Sequence, residues 1–324
     1  MEGCREGMEI NKIGYSACAL CPHTCMVNRE QGQMGICGES SEMRISWIGL
    51  HRGEEPPFIG EYGSGTIFFT GCPLHCAYCQ NCQISRQGTA TGVVVTVEEL
   101  AGFLVDLQHM GAANANFVTG THFIPSIIAA LEIAQSRGFS LPVVWNSSGF
   151  ERVEALTLID PYIDTYLIDV KTLDVQVAAR FCGSSRYAQI IIPVIKFLIK
   201  HHPHTFIDTN GVLQGIVVRH LVFPKTLAAT EEFLHWFAQH VKVHAWLSLM
   251  VQFVPPEGGV ELGEITAAQY DYLMDILTEL EIEEGFVQEL ADNIPWIPDF
   301  SRDNPFPADF ATPLDTFLQL RNSR

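Results

Sequence analysis

The sequence predicts an α/β fold in which strands alternate with helices. Three observations carry this reading. Short apolar runs recur between Gly, Pro or polar breaks, amphipathic stretches lie between them, and helix-capping residues open those stretches. In chain order the expected strands are GTIFF (65–69), ANFVT (115–119), LPVVW (141–145), DTYLIDV (164–170), GIVVRHLVF (215–223) and HAWLSLMVQFV (244–254). Helices are expected over 96–110 and 266–280, each opened by a capping box, Thr96 with Glu99 and Thr266 with Gln269. DTNG (208–211) reads as a hairpin turn following a short strand near HTFI. Residues 1 to about 60 lack this periodicity and are rich in Cys, Gly and polar residues, which places a boundary near 60. Right-handed crossovers leave two architectures open, a doubly wound sheet or a complete or partial barrel. In both, chemistry gathers at the carboxyl ends of the strands.

Composition narrows the function. The 324 residues hold 37 acidic and 19 basic side chains, a formal charge of −18, so the summed field repels a phosphate backbone and nucleic acid is not an expected partner. The acidity serves solubility, or complements a basic protein partner. The opening MEGCREGMEINK does not read as a leader, and no apolar run approaches the length of a membrane span, so the expectation is a cytoplasmic protein without a membrane partner. A chain of this size can bury an ordinary core without covalent staples, which turns its ten cysteines toward metal or redox chemistry. Eight fall into two groups, Cys18, Cys21, Cys25, Cys37 and Cys72, Cys76, Cys79, Cys82, while Cys4 and Cys182 stand apart.

The second group lies in FFTGCPLHCAYCQNC (68–82), directly after the first expected strand. Cys72, Cys76 and Cys79 are spaced C-x3-C-x2-C, so three thiolates on one loop can converge on a cube of four irons while leaving one iron open. The alternatives are a zinc knuckle, or a cluster closed by Cys82 that does electron transfer alone. With Tyr78 before the last cysteine, the motif resembles that of the radical S-adenosylmethionine (SAM) superfamily. The resemblance implies a partial (β/α)6 barrel with a cysteine-rich N-terminal extension. It also implies a 4Fe-4S cluster on Cys72, Cys76 and Cys79 that reductively cleaves SAM to a 5′-deoxyadenosyl radical. The expected division is 1–60 for the cysteine segment, 61–290 for the barrel and 291–324 for a C-terminal extension.

The longer string GSGTIFFTGCPLHCAYCQNCQIS (63–85) resembles the pyruvate formate-lyase activating enzyme group. VTGTHFIP (118–125), WNSSGFE (145–151), YLIDVK (166–171), VRHLVFP (218–224), LMVQFVP (249–255), GFVQEL (285–290) and WIPDF (296–300) are similar to segments of its less characterised relatives. That resemblance implies SAM contacts at Tyr78, at Gly120, Thr121 and His122 in place of a Gly-Gly-Glu stretch, at Asn146 in place of an Asp, at Lys171 oriented by Asp169, and at Gln252 in place of a histidine. His220, on a strand that reads as buried, is expected in the core or rim. A glycyl radical enzyme as protein substrate and a flavodoxin- or ferredoxin-type electron donor follow from the same resemblance, as does oxygen sensitivity. Rival readings are a radical enzyme acting on a small molecule or installing another protein modification, and a non-enzymatic iron-sulfur or zinc protein.

In CALCPHTCMVNREQGQMGICG (18–38), Cys18, Cys21, Cys25 and Cys37 can close four-coordinate around one metal. The segment has few large apolar residues, and a metal could supply the missing folding energy. Thiol spacing leaves structural zinc and an auxiliary iron-sulfur cluster both open.

Overall fold

Each of the six expected strands forms, and they stand side by side in the order in which the chain makes them. A computed structural model of the chain describes residues 13–86, 92–254, 263–290 and 297–324. Cys4 and the rest of the first twelve residues, Pro255 and Trp296 therefore lie outside the described residues. The strands are β1 (Arg44–His51), β2 (Ser64–Phe69), β3 (Val93–Val94), β4 (Ala115–Val118), β5 (Val143–Ser147), β6 (Thr165–Asp169), β7 (Phe206–Ile207), β8 (Leu213–Leu221), β9 (Trp246–Met250), β10 (Gly285–Val287) and β11 (Ala311–Pro313). The helices are α1 (Pro56–Ile59), α2 (Cys82–Ser85), α3 (Val97–His109), α4 (Ile124–Ser136), α5 (Val153–Ile159), α6 (Val175–Phe181), α7 (Tyr187–His201), α8 (Leu227–His240), α9 (Ala267–Glu279) and α10 (Asp315–Ser323).

The sheet runs β10-β9-β8-β6-β5-β4-β2-β1-β11, with β2 through β10 along that path parallel. A doubly wound sheet would reverse its order at a switch point. This one does not, so its crossover helices gather on one side and the sheet curls into a partial barrel. The choice that the sequence left open is settled as the α/β partial barrel, with β10 a further parallel strand beyond the expected six. Both expected capping boxes are present, Thr96 with Glu99 and Thr266 with Gln269. The DTNG turn closes on a hydrogen bond from the Gly211 amide to the Asp208 carbonyl, and β7 pairs antiparallel with β8 before it.

The two sheet faces are read from alternation along the strands. Ile67, Phe117, Trp145 and Tyr166 pack outward in the large core, among residues of the crossover helices. Their neighbours Phe68, Val118, Asn146, Leu167 and Val217 share register on the concave face. There Phe58 of α1 packs with Val144, Leu167, Leu213 and Val217, filling the interior from the amino-terminal end of the strands. Access is left at the carboxyl end.

The expected boundary at 60 is crossed by the sheet. β1, inside the cysteine-rich segment, pairs antiparallel with β2 from Ile45↔Phe69 to His51↔Ser64. The expected C-terminal extension likewise adds β11 to the outer edge of β1. Among the described residues no helix is long and apolar enough to cross a membrane.

Candidate active site

The cysteine loop begins where β2 ends, and hydrogen bonds brace it on three sides. Gly71 takes φ +75°, and a Cβ there would sit 2.6 Å from the Cys37 carbonyl oxygen, so the turn needs glycine. The Cys72 amide donates to that same carbonyl at 3.2 Å, and the His23 imidazole donates through Nε2 to the Pro73 carbonyl at 2.7 Å. From α6, the Phe181 carbonyl accepts from the Ala77 amide at 2.8 Å. Across the mouth, Gln80 donates through its side chain to the Val254 carbonyl beyond β9 at 3.0 Å. The loop therefore spans the barrel from its first parallel strand to a late one.

Cys72, Cys76 and Cys79 lie within one another's electrostatic reach. Burial pushes the Cys72 thiol up to about 12, and the charges of Cys76 and Cys79 add to the shift. The Leu74 amide donates to Cys72 Sγ at 3.4 Å. The Ser85 hydroxyl donates to Cys79 Sγ at 3.4 Å. Three soft donors on one loop, Cys72 and Cys76 buried and Cys79 half-buried, fit an iron-sulfur cluster. Cys82 opens α2 and is half-buried.

At the mouth, Tyr78 is buried against Phe223 and Phe253, with ring centroids 4.7 and 5.9 Å away. Lys171 Nζ lies 5.6 Å from the Tyr78 ring centroid and 2.8 Å from Asp169 Oδ2. Burial alone would lower the Lys171 ammonium, but the charges of Asp169, Tyr78 and Cys76 outweigh it and hold the pKa well above the ordinary value. The Lys171 amide donates to the Tyr187 hydroxyl, which is 2.6 Å from the Asp169 carbonyl, so the strand end is fixed. Asn146 sits on the concave face in register with Val118 and Leu167, 9% exposed. Tyr78, Asn146, Asp169 and Lys171 are thus gathered at the mouth.

Gly120, Thr121 and His122 are differently committed. Gly120 makes room for Trp145, Thr121 donates to Glu151 at 2.8 Å, and His122 donates through Nε2 to the Thr70 carbonyl at 2.7 Å. Burial, then the nearby Arg29 charge, lower the His122 pKa to about 3, so the ring is neutral. The short 3-10 turn after β4 buries Thr121 and His122, and His122 Nδ1 is left without a hydrogen-bond partner among the described residues. Gln252 donates to the Glu289 carbonyl at 2.5 Å, linking the ends of β9 and β10. His220 is buried, stacked on Phe233 and bonded to the Val170 carbonyl and Thr230, in the core as expected.

Two features escaped the sequence. Cys182, which follows α6, places its thiol against Cys76 and Tyr78. Arg219 on β8 reaches into the barrel and pairs with Glu54 at 2.5 Å and Glu55 at 2.5 Å. Asn116 donates to Glu54 at 3.1 Å, and His51 Nδ1 lies 3.6 Å from it. Burial would raise the Glu54 carboxyl, but Arg219 and His51 outweigh it and hold it at about 2. A charged residue inside the apolar run of a buried strand was the available signal.

The four N-terminal thiols also share one neighbourhood, with Cys18, Cys25 and Cys37 each acting on Cys21. Among the described residues no group of three or more His, Cys, Asp or Glu is closed tightly enough for a single metal ion, and this holds for both cysteine sets.

An open βα barrel with a three-thiol loop over the carboxyl ends of its strands defines a class, an iron-sulfur enzyme that works at the barrel mouth. The family described as the radical SAM superfamily matches residues 66–235. An uncharacterized protein of Methanocaldococcus jannaschii is 30% identical over 290 residues, covering 88% of this chain and 77% of that protein. The chain belongs to the radical SAM superfamily, and membership implies an enzyme using a 4Fe-4S cluster and SAM. Streptococcus suis SuiB is similar at 11% identity and a TM-score of 0.48, over 68% of this chain and 47% of SuiB, about half its length. A domain of pyruvate-formate lyase-activating enzyme from Bacteroides vulgatus is similar at 14% identity and a TM-score of 0.38, over 51% of this chain and 91% of that one.

Proposed function

We propose that Cys72, Cys76 and Cys79 hold the cluster and that the chain is an activase, which abstracts a hydrogen atom from a glycine of a glycyl radical protein. The observation that carries the cluster assignment is the loop itself, three thiols within one another's electrostatic reach at the carboxyl end of β2, with the Leu74 amide donating to Cys72 Sγ. A cluster held by these three thiolates would, once reduced, supply one electron to SAM, whose S–C5′ bond would break to methionine and a 5′-deoxyadenosyl radical.

Lys171, charged and fixed by Asp169, offers an ammonium to a carboxylate or ribose at the mouth. Asn146 offers a short amide from the concave face. Phe58 fills the barrel interior against Val144, Leu167, Leu213 and Val217, and Arg219 is paired with Glu54 and Glu55. A backbone glycine suits the open mouth because, without a Cβ, it tolerates tight turns and close approach. The activase reading and an electron donor of the flavodoxin or ferredoxin type rest on the resemblance of residues 63–85 to that group, and the acidic surface suits a basic protein substrate.

The test is to incubate reduced enzyme and SAM with a co-encoded glycyl radical candidate and record electron paramagnetic resonance spectra. A glycyl doublet is expected. Deoxyadenosine formed on an added metabolite or another peptide, with no doublet, would replace the activase reading by the small-molecule or alternative-modification one.

A further inference from the structure

We propose that Cys18, Cys21, Cys25 and Cys37 form a second, four-thiolate centre for a thiophilic metal, a zinc ion or an iron-sulfur cluster, and that this centre is the back wall of the catalytic cysteine loop. The proposal stands apart from the reading of the substrate, and its readouts do not require SAM cleavage.

The first support is local construction. The Cys25 thiol faces the Cys18 carbonyl oxygen at 3.9 Å, which brings the first and third cysteines of the set together. The sulfurs of Cys25 and Cys37 flank Gly35, where a Cβ would lie 3.5 and 3.2 Å from them. The Cys18–Cys25 turn is held by bonds from the Met26 amide to the Cys18 carbonyl and from the Thr24 amide to the Cys21 carbonyl. It places Thr24 at φ +42° and Met26 at φ +56°, left-handed conformations that cost non-glycine residues on the order of 1–3 kcal/mol each. Met26 is 60% exposed, so packing does not repay that strain.

The second support is charge. Arg29 is fully buried, and its guanidinium donates to the carbonyls of Glu39, Ser40 and His122, all neutral acceptors. It also lies 4.8 Å from the Tyr15 ring centroid and 5.5 Å from that of Phe123, and Cys18 Sγ is 3.7 Å from Nη1. The Glu39 carboxylate, within reach of the Arg29 charge, accepts from Thr70 at 2.6 Å and lies 3.9 Å from Arg44. A buried guanidinium needs an anion close by. Four thiolates around a dication, or around a 4Fe-4S cluster, carry a net negative charge beside Arg29. On binding, each thiol releases its proton to water as a sulfur–metal bond forms, with no change in electron count.

The third support is mechanical. From this segment the Cys37 carbonyl accepts from the Cys72 amide, His23 donates to the Pro73 carbonyl, and Glu39 accepts from Thr70 at the end of β2. Order in the N-terminal set is thereby transmitted to the loop that carries Cys72.

The experiment uses the full chain with Cys72, Cys76 and Cys79 all changed to Ala, purified and reconstituted without oxygen, with zinc, iron and acid-labile sulfide measured. About one zinc, or the iron and sulfide of about one cluster, should remain per chain, and should be lost when Cys21→Ser and Cys37→Ser are added. A folded triple variant that binds neither zinc nor iron with sulfide overturns the site, as does metal unchanged by the added substitutions. The coupling is read in the otherwise unaltered chain. Cys25→Ser, at the least buried of the four, should speed loss of the catalytic cluster to a chelator several-fold, whereas exposed Met26→Ala should not. Loss of the N-terminal metal with an unchanged rate of cluster loss would overturn the coupling.

Discussion

The amide of Cys72 donates to the carbonyl of Cys37 at 3.2 Å, tying the first cysteine of the catalytic loop to the last cysteine of the N-terminal set. Gly71 makes this approach because its φ of +75° and missing Cβ let the chain pass within contact of Cys37 and Glu39. Gly71→Ala should therefore destabilise the chain by about 1–3 kcal/mol and impair cluster retention. Denaturant midpoints and iron content check this together, and an unchanged midpoint would show that the junction is loose.

The three-thiol assignment makes a sharp distinction within one loop. Cys72→Ala, Cys76→Ala and Cys79→Ala should each abolish the catalytic cluster after anaerobic reconstitution, while Cys82→Ala should retain it, as counted by iron and sulfide. Cluster loss in Cys82→Ala as complete as in Cys76→Ala would indicate a fully ligated electron-transfer centre.

Arg219 neutralises buried carboxylates that have no other cation in hydrogen-bond contact, apart from His51 if it is protonated. Arg219→Met should cost roughly 3–5 kcal/mol, the usual penalty for leaving one side of a buried pair uncompensated. The pH dependence has a definite sign. The Glu54 carboxyl is held at about 2 against an ordinary 4.5, so its contribution is present above pH 4.5 and fades as pH falls toward 2. The stability gap between the parent chain and Arg219→Met should narrow across that window in urea unfolding, and a gap independent of pH would remove the ion pair from the account.

Lys171 is assigned to SAM rather than to the cluster. Lys171→Ala should weaken SAM binding at least several-fold in equilibrium dialysis with iron content unchanged, since Asp169 and Tyr78 remain in place. Equal binding by the variant would take Lys171 out of the site.

Much of this was legible because it is local. The six parallel strands, both capping boxes and the 208–211 turn follow from patterns within a few residues, and C-x3-C-x2-C is itself a short motif. What escaped is non-local. β1 reads R-I-S-W-I-G-L-H, and it was folded into the cysteine segment because its partner, β2, lies across the apparent boundary. No spacing could join Arg219 to Glu54, 165 residues earlier, or bring Cys182 against Cys76. Gly120, Thr121 and His122 sit at the expected strand end, yet a single 3-10 turn decides which way the Thr121 and His122 side chains point. Pattern locates a strand end more readily than it orients the side chains that follow.

The central claim is that this barrel performs reductive cleavage of SAM at the cluster of Cys72, Cys76 and Cys79. It is tested most directly by reducing the anaerobically reconstituted full chain with dithionite in the presence of SAM and measuring 5′-deoxyadenosine by chromatography. The account predicts deoxyadenosine in the parent chain and none above background in Cys76→Ala. A fully loaded, reduced parent chain that returns its SAM intact, with candidate glycyl radical proteins supplied, would contradict it.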